Sequence, residues 1–172
     1  MNQRSRSCAV VAVAVLCLGF DFTSKTTRPG RQNTIQMDAA MPNQANGTFE
    51  VKLTPQDDKT GDATLGRMTI EKQIHGDLEG SSKGQMLTAW TAVNGSGVYV
   101  AIEKVTGTLH GRQGTFLLHH TGVMTRGTPH LTITVVPDSG TGELKGITGK
   151  MTIEIAGGKH LFTLDYKLSD GP

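Results

Sequence analysis

The chain has 172 residues, of which 22 are glycine and only 5% are aromatic, and its formal net charge at pH 7 is +2. Five basic residues oppose two acidic residues up to Gln44, whereas 12 oppose 13 from Ala45 onward. A length of this order suits one domain with an appendage. The near-neutral balance after Gln44 argues against a nucleic-acid-binding surface, because such surfaces carry a marked excess of Lys and Arg.

The N-terminus begins with the basic stretch "MNQRSRS" and continues with the apolar run "CAVVAVAVLCLGF", Cys8 to Phe20. This order is typical of a secretory signal, and the run is shorter than the roughly 20 residues of a membrane-spanning helix. We therefore interpret residues 1–22 as a signal peptide of a secreted or periplasmic protein with no stable membrane span. A second interpretation stays open, in which translation starts at Met37 or Met41 and the protein is cytoplasmic.

Residues 23–44 are polar and show no periodicity, which predicts a disordered linker. Both cysteines, Cys8 and Cys17, precede this linker. The remaining chain therefore holds neither a disulfide nor a cysteine-based zinc site. We predict that residues 45–170 form the folded domain.

From Gly47 onward, short runs of alternating apolar and polar residues are separated by glycine-rich turns. Examples are "GTFEVKLTP", "LGRMTIEKQIHG", "MLTAWTAV" and "VYVAIEKVTGTL", whereas "DLEGSSKGQ" at residues 77–85 is predicted to be a turn or bulge. The pattern gives about eight strands and no convincing helix. An all-β fold of this size is predicted to be a small antiparallel barrel, whose interior holds its own side chains or one small ligand.

Several blocks carry a resemblance to a known family, namely "GTFEV", "IEKQIHGDLEG", "YVAIEKVTGTLHGRQGTFLLHHTG", "VVPDSGTGELKGITGK" and "TLDYKL". In this order they resemble a bacterial family called domain of unknown function 3224. The resemblance covers about residues 45–168. It implies an eight-stranded antiparallel barrel similar to allene oxide cyclase and dirigent proteins, and it implies no established activity.

Strand alternation places side chains on one or the other face of the barrel wall. In "MTIEKQI", Lys72 shares a face with three apolar residues, and in "TFLLHHT", His120 shares a face with Phe116 while His119 faces away. The pattern does not decide whether Glu103 faces the lumen or the outside. Tyr99 and Ala101 share a face with Glu103, and an aromatic and a small residue would suit the lumen. We hypothesise that Lys72, Glu103 and His120 meet inside the barrel as a catalytic cluster. The alternative is a buried polar network that only fixes the strand register.

Four further residues are candidate ligand contacts, because an aromatic ring can line a pocket and an arginine can bind a carboxylate. They are Trp90, Tyr99, Arg112 and Phe116. The six histidines form no metal-binding motif, and His119 and His120 face opposite sides of a strand. We expect no metal and no cofactor.

Three functions fit this pattern. The first is a barrel that binds a small apolar or carboxylate-bearing ligand in its lumen. The second is a filled barrel that acts as an oligomerisation or interaction module, for example as a homo-oligomer. The third is a cofactor-free isomerase or cyclase that uses Glu103 and His120 as acid and base.

Overall fold

The computed structural model describes residues 43–57 and 61–169. The predicted signal peptide and most of the predicted linker lie outside these residues. The first strand begins at Asn43, two residues before the predicted start of the domain. Within the described part of the chain, no helix is long and apolar enough to cross a membrane.

The described residues form nine strands and no helix. In chain order these strands are β1 (Asn43–Gln56), β2 (Leu65–Gly76), β3 (Leu78–Trp90), β4 (Gly97–Leu109), β5 (Arg112–Thr125), β6 (Thr128–Val135), β7 (Thr141–Gly142), β8 (Ile147–Ala156) and β9 (Lys159–Leu168).

Eight of these strands close into an antiparallel barrel. Strands β1 to β6 pair each with the next along the chain, β6 pairs with β8, β8 with β9, and β9 returns to β1. The short strand β7 adds two residues to the edge of β5. The predicted eight-stranded barrel is therefore confirmed, and closure leaves the long strands without free edges.

One half of the barrel interior is filled by apolar side chains. This filled half lies where β1, β5 and β8 begin and where β2, β4 and β9 end. Strand alternation points its residues inward, and the connection between β7 and β8 supplies one more, Leu144. The side chains that are at most 1% exposed include Leu78, Val105, Leu109, Phe116, Leu144, Ile147 and Leu164. The other end of the barrel, the hollow half, contains a cavity.

The segment predicted as a turn or bulge, residues 77–85, proves to be mostly strand, because β3 begins at Leu78. The prediction was wrong because glycine and serine usually weaken strands. Here small residues are needed for close packing. Gly84 lies directly opposite Glu103, and a Cβ at Gly84 would lie 2.7 Å from Glu103 Cγ and would also clash with the carbonyl oxygen of Ile102.

We expect Gly84→Ala to lower the free energy of unfolding by about 1–3 kcal/mol, the usual cost of overpacking a core. The added methyl group would push β3 away from the backbone of β4. Urea denaturation measures the change. The control is Lys83→Ala at the neighbouring exposed position, for which we expect less than about 0.5 kcal/mol. Equal stability of Gly84→Ala and the wild type would show that the packing around Glu103 is looser than described.

The outer face of β3, β4 and β5 carries a row of exposed apolar side chains. Leu87, Val98, Val100, Ile102 and Val123 are between 41% and 57% exposed. This row explains why β4 is apolar on both faces, and why its sequence alone does not show which face lines the lumen. The expected homo-oligomer stays a prediction.

Candidate functional site

The hollow half of the barrel contains a cavity of about 430 Å³. Its wall is mainly apolar and is built from inward-facing residues of β1 to β6, β8 and β9. The apolar and aromatic side chains that line it include Phe49, Val51, Met68, Ile70, Met86, Trp90, Tyr99, Met124, Leu131 and Ile153. The polar residues Lys72, Glu103 and His120 also line the cavity.

These three polar residues form one contact cluster, the Lys72–Glu103–His120 cluster. Lys72 Nζ donates a hydrogen bond to Glu103 Oε1 over 2.7 Å. His120 Nε2 lies 3.0 Å from the same oxygen. The hydroxyl group of Ser82 donates to the other carboxylate oxygen, Oε2, over 2.6 Å. The structure therefore brings together the three residues of the hypothesised cluster and adds a serine.

The barrel register explains how the cluster forms. Lys72, Ser82, Glu103 and His120 come from β2, β3, β4 and β5, which are four neighbouring strands. Lys72 pairs with Ser82 in the ladder, so both side chains point to the same face at the same height. All four are less than 9% exposed. His119 is exposed, as strand alternation predicts for the neighbour of an inward residue.

Glu103 is held as a carboxylate. Burial alone would raise its pKa and is the largest single influence, but the nearby His120 and Lys72 outweigh it together. The pKa of Glu103 falls from its usual 4.5 to about 2. At neutral pH the glutamate is therefore negatively charged and balances the charge of the Lys72 ammonium group.

His120 keeps unused hydrogen-bonding capacity. Its side chain is 4% exposed, and its Nε2 atom is close to Glu103 Oε1. That contact is poorly directed, however, and among the described residues Nε2 has no hydrogen-bond partner of acceptable geometry. A buried polar atom without a partner costs free energy, so His120 is suited to gain a partner from a bound molecule.

An aromatic ring also contacts the Lys72 ammonium group. Its Nζ atom lies 4.6 Å from the centre of the Phe49 ring, which is a cation–π distance. The Phe49 ring stacks in turn on His160, with ring centres 4.9 Å apart. The ammonium group thus has a defined position at the cavity wall.

The four predicted ligand contacts divide between the two halves of the barrel. Trp90 and Tyr99 line the cavity, and Trp90 is 50% exposed at its open end. Burial raises the pKa of Tyr99, and the charge of Glu103 adds to this effect. Phe116 is fully buried in the filled half. Arg112 begins β5 at the filled end and is not among the residues that line the cavity.

A second polar group lies at the filled end of the barrel and consists of His110, Tyr166 and Asp77, with the charge of Arg112 nearby. His110 Nδ1 lies 2.8 Å from the hydroxyl oxygen of Tyr166, and His110 Nε2 lies 3.7 Å from Asp77 Oδ1. Burial raises the pKa of Tyr166, Arg112 partly offsets this, and Asp77 adds to it. This group satisfies the buried Tyr166 hydroxyl and closes the filled end of the barrel.

Sequence reasoning did not single out several residues of the cavity wall, among them Met86, Thr88 and His160. Alternation in "MLTAW" would place Met86, Thr88 and Trp90 on one face and so could have found two of them. The same alternation in "HLFTLDY" puts His160 on the face of Phe162, Leu164 and Tyr166, and so could have found it as well. Among the described residues, no three metal-ligating side chains lie together.

The fold and the site define an antiparallel eight-stranded barrel that is filled at one end, hollow at the other, and polar where the two halves meet. A family model described as "Protein of unknown function (DUF3224)" matches residues 45–166. The chain belongs to this family, as the resemblance in its sequence implies.

A solved structure supports the same assignment. It is described as a protein with unknown function from the DUF3224 family of Shewanella oneidensis MR-1. It is 47% identical to this chain with a TM-score of 0.72, and the match covers 76% of this chain and 99% of that one. Among curated proteins, no match is found.

Proposed function

We propose that the protein binds a small, mainly apolar molecule in the hollow half of the barrel. The observation that carries this proposal is the cavity of about 430 Å³ with a buried Lys72–Glu103–His120 cluster in its wall. Small-molecule sites typically measure about 300–1,000 Å³ and combine an apolar wall with a few placed polar groups. Both properties are present together at one end of this barrel.

The distribution of packing supports binding over a purely structural barrel. A barrel of eight strands can fill its interior completely with side chains. Here only the filled half does so, with residues such as Phe116 and Leu144 that are completely buried. The hollow half instead leaves Trp90 half exposed beside the cavity. An apolar ligand would cover this surface and so gain binding free energy from burial.

The charge of Glu103 favours binding over acid–base catalysis. A group that exchanges protons with a substrate works best when its pKa lies near the working pH. The pKa of Glu103 is lowered to about 2, so this carboxylate is a weak base and is not protonated at neutral pH. Its geometry suits the positioning of Lys72 and His120, which are left to contact the ligand.

The test compares the ligand affinity of a variant whose cavity is filled by a larger side chain with that of a matched variant on the outer wall of the barrel. Met86 is 9% exposed and lines the cavity, whereas its neighbour Leu87 is 57% exposed on the outside. We expect Met86→Trp to weaken binding of the uncharged fluorescent probe 1-aminoanthracene by at least about tenfold, because the larger ring occupies the site. Leu87→Trp should leave the affinity within about twofold. Probe fluorescence in a titration gives both dissociation constants.

Two results would contradict the proposal. One is the absence of probe binding to the wild-type protein. The other is an equal loss of affinity in Met86→Trp and Leu87→Trp, which would place the probe on the outer apolar row. Circular dichroism of each variant confirms that the barrel is folded before its affinity is compared.

A further inference from the structure

We infer that the ligand of the hollow half is an uncharged molecule with a hydrogen-bond acceptor, such as a ketone or ester, rather than a carboxylate. This inference rests on the proposed function and specifies the ligand's chemical class. It follows from which hydrogen-bond donors and acceptors of the Lys72–Glu103–His120 cluster already have partners within the protein.

Each carboxylate oxygen of Glu103 already accepts a hydrogen bond from within the protein. Glu103 Oε1 accepts from Lys72 over 2.7 Å and lies 3.0 Å from His120 Nε2. Glu103 Oε2 accepts from Ser82 over 2.6 Å. A ligand whose polar group is only a donor would therefore compete with the hydrogen bonds from Lys72 and Ser82 for the same carboxylate.

Donors, in contrast, remain available. An ammonium group has three N–H donors, and Lys72 uses one of them on Glu103. His120 is 3% exposed, lines the cavity and makes no well-directed hydrogen bond from Nε2 to any described residue. An oxygen acceptor on the ligand would supply the missing partner, and a buried donor that gains a partner contributes to affinity.

The charge balance selects against a carboxylate. Among the described residues that line the cavity, Lys72 and Glu103 are the only Lys, Arg, Asp or Glu side chains. Glu103 is negatively charged and directly paired with Lys72, so the positive charge of Lys72 is already neutralised. A ligand carboxylate at Lys72 would bring a second negative charge close to Glu103 in an apolar environment, where repulsion is weakly screened.

The test compares three probes of similar chain length on the wild-type protein: 2-nonanone, nonanoate and nonane. Calorimetry or competition with 1-aminoanthracene at pH 8 gives the dissociation constants. We expect 2-nonanone to bind roughly tenfold more tightly than either of the other two, because only the ketone supplies an uncharged acceptor. Tighter binding of nonanoate would overturn the inference.

The variant Glu103→Gln gives a result that a merely structural role of Glu103 would not produce. It removes the negative charge at nearly constant volume and leaves Lys72 as an unpaired cation. We expect the preference to reverse, so that nonanoate binds more tightly than 2-nonanone. An equal loss of affinity for both probes would overturn the inference. The wild-type comparison decides the question by itself if this variant does not fold.

The probe affinities of the wild-type protein separate ligand binding as such from selectivity for an acceptor. Similar affinities of the wild type for all three probes would leave the binding function in place and overturn only the selectivity for an acceptor. Binding of none of the three, together with no binding of 1-aminoanthracene, would overturn both.

Discussion

Replacing Lys72 by methionine is expected to lower the free energy of unfolding by about 3–5 kcal/mol, which is the usual cost of removing one partner of a buried ion pair. The two side chains have similar length, so the substitution changes the charge more than the packing. It leaves the Glu103 carboxylate 1% exposed without the cation that contacts it over 2.7 Å. Ser82 supplies only an uncharged hydroxyl donor to this carboxylate. Urea denaturation at pH 7 measures the loss.

The control for this prediction is the double variant Lys72→Met with Glu103→Leu. Removing both charges abolishes the cost of an unpaired buried carboxylate, so the double variant should be more stable than Lys72→Met alone. We expect it to recover at least half of the loss. A cost below about 1 kcal/mol for the single variant would indicate that water reaches Glu103 and that the pair behaves like a surface pair.

Glu103 is also expected to make the free energy of unfolding depend on pH in the acid range. The pKa of Glu103 is lowered from 4.5 to about 2 in the folded protein, so the unfolded chain takes up this proton more readily. The stabilising contribution is therefore complete above about pH 4.5 and is lost as the pH falls toward about 2. Because one pKa unit corresponds to about 1.4 kcal/mol, the loss is about 3 kcal/mol in total.

Other carboxyl groups also titrate in this range, so the measurement is a comparison. The free energy of unfolding of the wild type and of Glu103→Gln is determined between pH 7 and pH 2. We expect the difference between the two proteins to be largest at neutral pH and to shrink by about 3 kcal/mol as the pH falls. A difference that is constant across this range would show that Glu103 titrates normally.

Strand alternation predicted much of the barrel from the sequence. It placed His120 inside and His119 outside, and it put Lys72 on the face of its apolar neighbours in β2. These inferences need only the local period of two residues. The pattern predicted about eight strands in a small barrel, the family resemblance implied an eight-stranded antiparallel barrel, and the structure confirms it.

Other features depend on distant parts of the chain and were not predictable from local pattern. The face of Glu103 was open because Val100 and Ile102 form an exposed apolar row on the other side of β4. The strand at residues 78–85 was missed because its small residues serve the packing of Glu103, which lies 19 positions beyond Gly84.

The division into a filled half and a hollow half was also beyond local pattern. It depends in part on Leu144, which reaches the core from the irregular connection between β7 and β8. For this reason the sequence gives no indication that Phe116 and Arg112 lie in the filled half while Trp90 and Tyr99 line the cavity. A residue's place along the barrel axis depends on the register of all the strands together.

In the proposed binding mode, the cavity beside the Lys72–Glu103–His120 cluster holds an uncharged, mainly apolar ligand by its acceptor oxygen. A crystal structure of the full chain with 2-nonanone would make this binding mode visible. We expect the ketone oxygen within about 3 Å of Lys72 Nζ or a ring nitrogen of His120, with the alkyl chain directed toward Trp90. A cavity that stays empty in crystals saturated with the ketone, or a ketone bound only on the outer wall, would contradict this binding mode.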